Sequence, residues 1–412
     1  MVVAHVAALR AGLVVVPTNP GYQERELAHI VTDSDPAAAL VDDAEREGWI
    51  LAAAREGIIT FGPDVALPES AERPVDDPEP DHPALIPYTS GTTGAPKGAV
   101  LSHGNLLASS ESIGLAWRWV GADRLILALP LFHGHGLCVG LYGTLLAGAS
   151  AVLLPRFDVD LVLDAAAQSE ATLFFGVPTM YHRLASSPRV GELSRLRLCV
   201  SGSAPLSAEL HHQVERLASQ RVLERYGMTE TLMNASNPLD GERRPGSVGV
   251  ALPGVDIRLE PVTGEILVRG PSVFSGYHNH PEATAASFYD GWFRTGDVGA
   301  IGEDDYLTIL GRVKELIISG GFNVFPREVE DVLASHPKVV EVAVVGVPSA
   351  EWGEVVTAFV VTSAPAPNER ELLGFAAERL AGYKCPKTVR FVPSLPRNAM
   401  GKVVKQQLVD AS

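Results

Sequence analysis

The chain has 412 residues, 46% of them apolar, which is too long for one ordinary core and suggests two or three globular domains. Its 33 basic and 49 acidic residues leave a net charge of −16, which argues against nucleic acid or an anionic membrane surface as the main partner; an anionic substrate must be met by a local positive site. Cys138, Cys199 and Cys385 are odd in number, widely spaced and form no C-x-x-C pair, so neither a disulfide framework nor a zinc site is expected, and a reducing cytoplasm fits best.

In chain order, residues 2–13 read as a helix closed by Gly12 and 14–16 as a strand ended by Pro17, so the sequence opens in the middle of an α/β unit. No basic region or cleavage site of a signal peptide precedes them. The Pro- and acid-rich stretch 68–83 reads as an exposed connector. Residues 88–98, Tyr-Thr-Ser-Gly-Thr-Thr-Gly-Ala-Pro-Lys-Gly, then read as a phosphate cradle. Gly91 and Gly94 let the backbone turn close to a ligand, Thr89, Ser90, Thr92 and Thr93 offer hydroxyl donors, and Lys97 adds a mobile positive charge. It is no Walker loop, because Lys97 follows Pro96 and precedes Gly98 rather than Ser or Thr.

The uncharged stretch 136–155 has the length of a membrane span, yet Gly136, Gly140, Gly143 and Gly148 interrupt it, and it reads as a buried helix followed by a strand over 151–154. Short apolar strands over 173–177, 196–201 and 266–268 alternate with helices, which argues for α/β layers. A boundary near 312–315 is followed by a smaller α+β unit with strands over 316–319, 340–347 and 355–361 and helices over 327–334 and 369–380.

Further along stand Leu129-Pro130-Leu131-Phe132-His133, Tyr226-Gly227-Met228-Thr229-Glu230, Phe293-Arg294-Thr295-Gly296-Asp297, Gly311-Arg312-Val313-Lys314-Glu315, and Pro396-Arg397-Asn398-Ala399-Met400-Gly401-Lys402. Together with the cradle, and in this order, these motifs resemble the adenylate-forming superfamily of acyl-CoA synthetases, adenylation domains and luciferases. Nearly the whole chain from Val15 to Lys405 shares the likeness. Members usually carry several dozen more residues before this point, so the leading segment of the large domain is expected to be missing.

The resemblance implies a large multi-layer α/β domain over 1–311, a hinge over 312–315 turning about Lys314, and a small mobile α+β domain over 316–412, with the site in the cleft between them. It implies ATP, Mg²⁺ and CoA as co-reactants of a small carboxylic acid, with no transmembrane segment. A carboxylate attacks the α-phosphorus to give an acyl-adenylate, and a thiol then displaces AMP. Glu230 would serve the metal, Thr229 the α-phosphate, and Tyr226 would stack on adenine. Asp297 would accept both ribose hydroxyls with Arg312 in support. Lys402 would bridge carboxylate and α-phosphate, His133 would stand at the mouth of the acyl pocket, and Gly320 and Gly321 would line the thiol tunnel.

His133 and His135 have no carboxylate near them in sequence to help make a zinc site. The segments 174–183, 200–206 and 224–236 resemble those of malonyl-CoA synthetases. A dicarboxylate brings a second negative charge into a partly dry pocket, and an arginine with a hydroxyl neighbour is its natural partner. Arg183 with Ser203 is the first choice, Arg243 or Arg244 the second; a short- or medium-chain fatty acyl-CoA synthetase with Arg183 on the surface, and a nucleotide-binding remnant without turnover, stay open as alternatives. Lys402→Ala is expected to abolish adenylate formation and largely spare thiolysis of a supplied acyl-adenylate. Equal loss in both half-reactions would sink the two-state reading.

Overall fold

The computed structural model describes residues 1–62, 78–89, 95–349, 351–397 and 403–410. Most of the expected connector, the cradle residues Ser90, Gly91, Thr92 and Thr93, and Lys402 lie outside the described residues. The chain divides into two compact units, one of Met1–Ile257 with Val268–Arg294, the other of Arg258–Leu267 with Thr295–Ser412.

The first unit is built on a seven-stranded sheet in the order Val250–Ala251, Leu232–Ser236, Leu223–Met228, Leu198–Ser201, Leu173–Gly176, Arg124–Leu127, Ser150–Leu153. The last five are parallel neighbours. Leu173–Gly176 and Leu198–Ser201 are buried along their whole length, which is why Leu-Phe-Phe-Gly shows no polar alternation. Successive side chains still take opposite faces. Phe174 joins Tyr181, Leu184, Cys199, Val214 and Val222 in a core under the helices Val159–Gln168, Pro178–Ala185 and Ala208–Ala218. Phe175 meets Trp117 and Trp119 edge-on, at centroid distances of 5.4 and 5.2 Å, beneath the helix His103–Trp117. That helix starts where Ser102 and Asn105 cap one another reciprocally.

Two expectations need correction. Residues 14–16 make a single parallel bridge, Val15 to Leu85, because Pro17 has no N–H to extend the ladder. The expected buried helix over the glycine-rich stretch begins as a π-helix, His135–Leu141, before a short α-helix, Tyr142–Leu146, and the strand Ser150–Leu153. Neighbours press on its glycines: a Cβ on Gly136 would lie 2.3 Å from the Pro130 carbonyl oxygen, and one on Gly143 would lie 2.4 Å from the Trp119 ring. Among the described residues no helix is long and apolar enough to cross a membrane.

A second sheet of this unit runs Gly276–Tyr277, Lys97–Ser102, Pro83–Leu85, with Tyr88–Thr89 also paired to Lys97–Ser102. The strand Trp292–Ile301 pairs antiparallel with Leu307–Arg312, which sets Asp297 opposite Arg312 in the other unit. Beyond it lies a five-stranded sheet of Phe322–Val324, Ile317–Ser319, Gly353–Thr362, Val339–Ser349 and Thr388–Phe391. The helices Pro326–Ala334 and Glu369–Ala377 cover one face through Val329, Leu333, Leu372 and Ala376, close to the strands and helices read from the sequence.

One ion pair, between a buried carboxylate and a partly exposed arginine, ties the first unit together. Asp123, 3% exposed, accepts from Arg197 Nε at 2.7 Å and Arg197 NH2 at 2.5 Å, from Thr172 Oγ1 at 2.7 Å and from the Val120 N–H at 3.0 Å. The remaining Arg197 donors serve the carbonyls of Trp117 and Arg118 at the end of the helix His103–Trp117. Burial by itself would raise the Asp123 pKa, but the bonds from Arg197, Val120 and Thr172 hold it below its ordinary 3.8. Its stabilisation is therefore complete above pH 3.8 and is lost as pH falls through the lower folded value. Arg197→Met should lower unfolding stability by on the order of 3 kcal/mol at neutral pH, measured by urea titration, because it leaves a buried carboxylate without its cation. A change below about 0.5 kcal/mol would remove the pair from this role.

Candidate active site

The hairpin Leu223–Met228/Leu232–Ser236 closes the parallel sheet, with a bulge between Tyr226 and Gly227. A Cβ on Gly227 would lie 2.0 Å from the Leu232 carbonyl oxygen, so only glycine permits this approach, and Leu232 itself turns through φ 55°. The tight turn sets Tyr226, 7% exposed, in the strand and places Thr229, half-buried, and Glu230, 6% exposed, just beyond its end.

Tyr277 links Glu230 to the cradle. Its hydroxyl donates to Glu230 Oε1 at 2.9 Å, and Lys97 Nζ lies 5.5 Å from the centre of its ring. Pairing of Tyr277 with Ala99 and of Thr89 with Lys97 puts these groups on adjacent strands, and Thr89 Oγ1 donates to the Lys97 carbonyl at 3.3 Å. Burial, with the Glu230 charge beside it, pushes the Tyr277 phenol well above its ordinary 10. It stays a neutral donor that orients the carboxylate. A buried carboxylate with one oxygen held by a phenol and a lysine close by suits a magnesium-bound polyphosphate, since the oxygen donor is hard and the charge is locally balanced.

In the other unit Arg312 Nε donates to Asp297 Oδ1 at 2.9 Å, and Asp297 is 6% exposed. Its second carboxylate oxygen suits a ligand hydroxyl. Lys314 is exposed. Gly320 and Gly321, with φ of 57° and 81°, are the two central residues of the turn between Ile317–Ser319 and Phe322–Val324. The turn by itself requires glycine there, and a Cβ on Gly320 would lie 2.9 Å from the Trp352 ring. His133 is half-buried before the π-helix, close enough to His135 to influence its charge.

The arginines divide sharply. Arg183 stands exposed in the last turn of Pro178–Ala185, its guanidinium 5.0 Å over the Phe157 ring. Arg243 is used by the backbone, donating to the carbonyls of Leu239 at 2.9 Å, Pro238 at 3.3 Å and Arg221; Arg244 meets Glu242 at 3.0 Å. Sequence reasoning missed Arg225. It is 5% exposed and lies against Gly202, where a Cβ would fall 2.3 Å from its Cζ, and its Nε and NH2 have no hydrogen-bond partner among the described residues. Burial pulls its pKa down to about 9, so it remains a cation at neutral pH. Next to Gly202, Ser203 adopts φ 67°, and its Oγ lies 3.2 Å from His135 Nδ1. Burial, Arg225 and His133 hold the His135 pKa well below 6.5, leaving a neutral ring whose Nε2 is also without a partner. Asn234, the extra residue at the bulge of the neighbouring strand, is buried and likewise unsatisfied at both amide atoms among the described residues. Native proteins rarely leave such donors unmet, so this cluster reads as a prepared anion pocket. The available signal was a Glu-Arg pair inside an otherwise apolar strand.

Residues 1–278 match the AMP-binding enzyme family and 328–402 the AMP-binding enzyme C-terminal domain. The chain is 38% identical to a malonate–CoA ligase of Arabidopsis thaliana over 97% of its own length and 74% of that protein. It is 45% identical to the ATP-bound MatB of Rhodopseudomonas palustris, with a TM-score of 0.93 over 99% of this chain and 86% of that one. A malonyl-CoA ligase bound to methylmalonyl-CoA and AMP matches at 43% identity and TM-score 0.71, over 96% of this chain and 88% of that one.

A buried cation with two donors unmet among the described residues is a standing strain on the fold. Replacing it by Arg225→Met, of similar length and apolar, should raise unfolding stability by about 1–4 kcal/mol, read as a higher thermal midpoint. A lowered midpoint would mean that the guanidinium is satisfied in the folded protein.

Proposed function

The chain belongs to the AMP-binding enzyme family, and from that premise we propose that it ligates malonate or methylmalonate to CoA through an acyl-adenylate, releasing AMP and pyrophosphate. The observation that carries the diacid reading is Arg225. A fatty acid would leave its buried donors unmet, whereas the second carboxylate of a short diacid neutralises them, with the Ser203 hydroxyl and the neutral His135 beside it. Arg183 with Ser203, the first choice from the sequence, stays part of this proposal for the same carboxylate.

The reaction needs positioning more than base catalysis, since two anions must meet. Thr89, Ser90, Gly91, Thr92, Thr93 and Lys97 would hold the phosphates of ATP, Thr229 its α-phosphate, and Tyr226 its adenine. Asp297, steadied by Arg312, would hold the ribose. Magnesium, when bound, offsets phosphate charge, and Glu230, oriented by Tyr277, is the side chain to hold it. Lys402 would bring a mobile point charge to the acid in the first half-reaction and leave with the small domain as it turns about Lys314. His133 and the glycines Gly320 and Gly321 would guard the acid and thiol approaches. Three free cysteines fit a reducing compartment, and we place the enzyme in the cytoplasm.

The test is ATP-, Mg²⁺- and CoA-dependent AMP release across malonate, methylmalonate, acetate, butyrate and octanoate. Strong preference for the diacids is expected; preference for octanoate would move the chain to the fatty acyl branch. Arg225→Met should cut kcat/KM for malonate by roughly a hundredfold or more and leave that for butyrate within a few-fold, as expected for loss of one buried charge pair. Arg183→Met should also hurt malonate more than butyrate. Equal losses on both acids would remove Arg183 from carboxylate recognition and leave Arg225 alone in it.

A further inference from the structure

We infer that the helix Ala208–Ala218 carries a binding site for one divalent transition-metal ion, formed by His211, His212 and Glu215. Each of the three presents a ligand atom, and the atoms all lie within 4.8 Å of one another. No step of the ligation reaction uses these residues.

The argument turns on a tautomer. His211 is 3% exposed, and its Nε2 lies 3.1 Å from the Val222 carbonyl oxygen. A carbonyl only accepts, so Nε2 carries the hydrogen and Nδ1 presents a lone pair. That Nδ1 has no hydrogen-bond partner among the described residues. An imidazole with one nitrogen fixed by a backbone carbonyl and the other free is the arrangement metal-ligating histidines adopt.

The neighbouring groups are loosely engaged. His212 Nδ1 lies 3.8 Å from Glu215 Oε2, too far for a hydrogen bond, and on the other side Arg221 Nε lies 3.7 Å from Glu215 Oε1. Arg216, on the same helix, engages Glu209 at 3.2 Å instead. Arg221 is therefore the one competitor for the carboxylate among these ion pairs. Around a tetrahedral zinc ion, bonds of about 2.0–2.1 Å set ligand atoms about 3.3 Å apart. Rotation of the exposed His212 side chain and a small shift of Glu215 would close the present spacing to that value. Two imidazoles and one carboxylate select zinc, cobalt, nickel or copper over magnesium, so the magnesium that serves ATP would not fill this site.

The experiment titrates the metal-stripped full chain with Zn²⁺ in a buffer containing Mg²⁺, by calorimetry, and with Co²⁺ by visible absorption. The expected result is about one equivalent bound with roughly micromolar affinity, a visible Co²⁺ spectrum of low-coordinate type, and a rise of a few degrees in thermal midpoint. His212→Ala and Glu215→Gln, both at solvent-accessible positions, should each weaken Zn²⁺ binding by roughly tenfold or more. No saturable binding, or affinity unchanged in both variants, would overturn the proposal. In the second case the ion sits on other histidines of the chain.

Discussion

The approach of Gly227 to the Leu232 carbonyl is the constraint on which the site depends. It lets the chain reverse within a few residues at the end of a buried parallel sheet, and no side chain larger than hydrogen fits there. Because the reversal is so tight, one strand delivers three different chemistries in sequence: Arg225 to one face, Tyr226 to the other, and Glu230 past the strand end, where Tyr277 reaches it from a second sheet. A longer turn would leave the carboxylate exposed and screened. Held as it is, Glu230 lies in a dry, low-dielectric setting where its charge would act strongly on a bound magnesium ion.

Two arginines in the same unit show how a guanidinium is put to opposite uses. Arg197 has a carboxylate and two helix-end carbonyls and serves stability. Arg225 has two donors unmet among the described residues and, in the proposed function, serves a ligand. Satisfied and unsatisfied guanidinium groups differ by several kcal/mol in folding, and proteins tolerate the second kind where an absent anion completes it. The same logic separates Arg243, closed off by carbonyls, from Arg225, although both are arginines near the end of one sheet.

Turn chemistry carries a double meaning in the small unit. Gly320 and Gly321 are demanded by a two-residue hairpin whose residues both take positive φ. A tunnel for a thiol gains from the same absence of side chains, so the backbone requirement and the proposed function coincide without either proving the other. Asp297 and Arg312 are simpler: antiparallel pairing sets them opposite each other, and the ion pair follows from register.

The order of motifs, the α/β class, the apolar strands and the small α+β unit were legible in the sequence, because period, turn residues and spacing are local properties written residue by residue. Tyr226, Glu230, Asp297 and Arg312 were singled out through the resemblance that those motifs carry. What only the tertiary structure decided was environment. The π-helix at His135 and the short α-helix after it lie against Pro130 and Trp119, where only glycine fits at Gly136 and Gly143. Arg183 and Arg225 are equal as letters, yet one lies in solvent against Phe157 and the other is sealed in the sheet beside Ser203 and His135. Burial and the presence or absence of a hydrogen-bond partner depend on which distant strands fold together, and those two quantities set the pKa, the charge and the cost of leaving a group unmet.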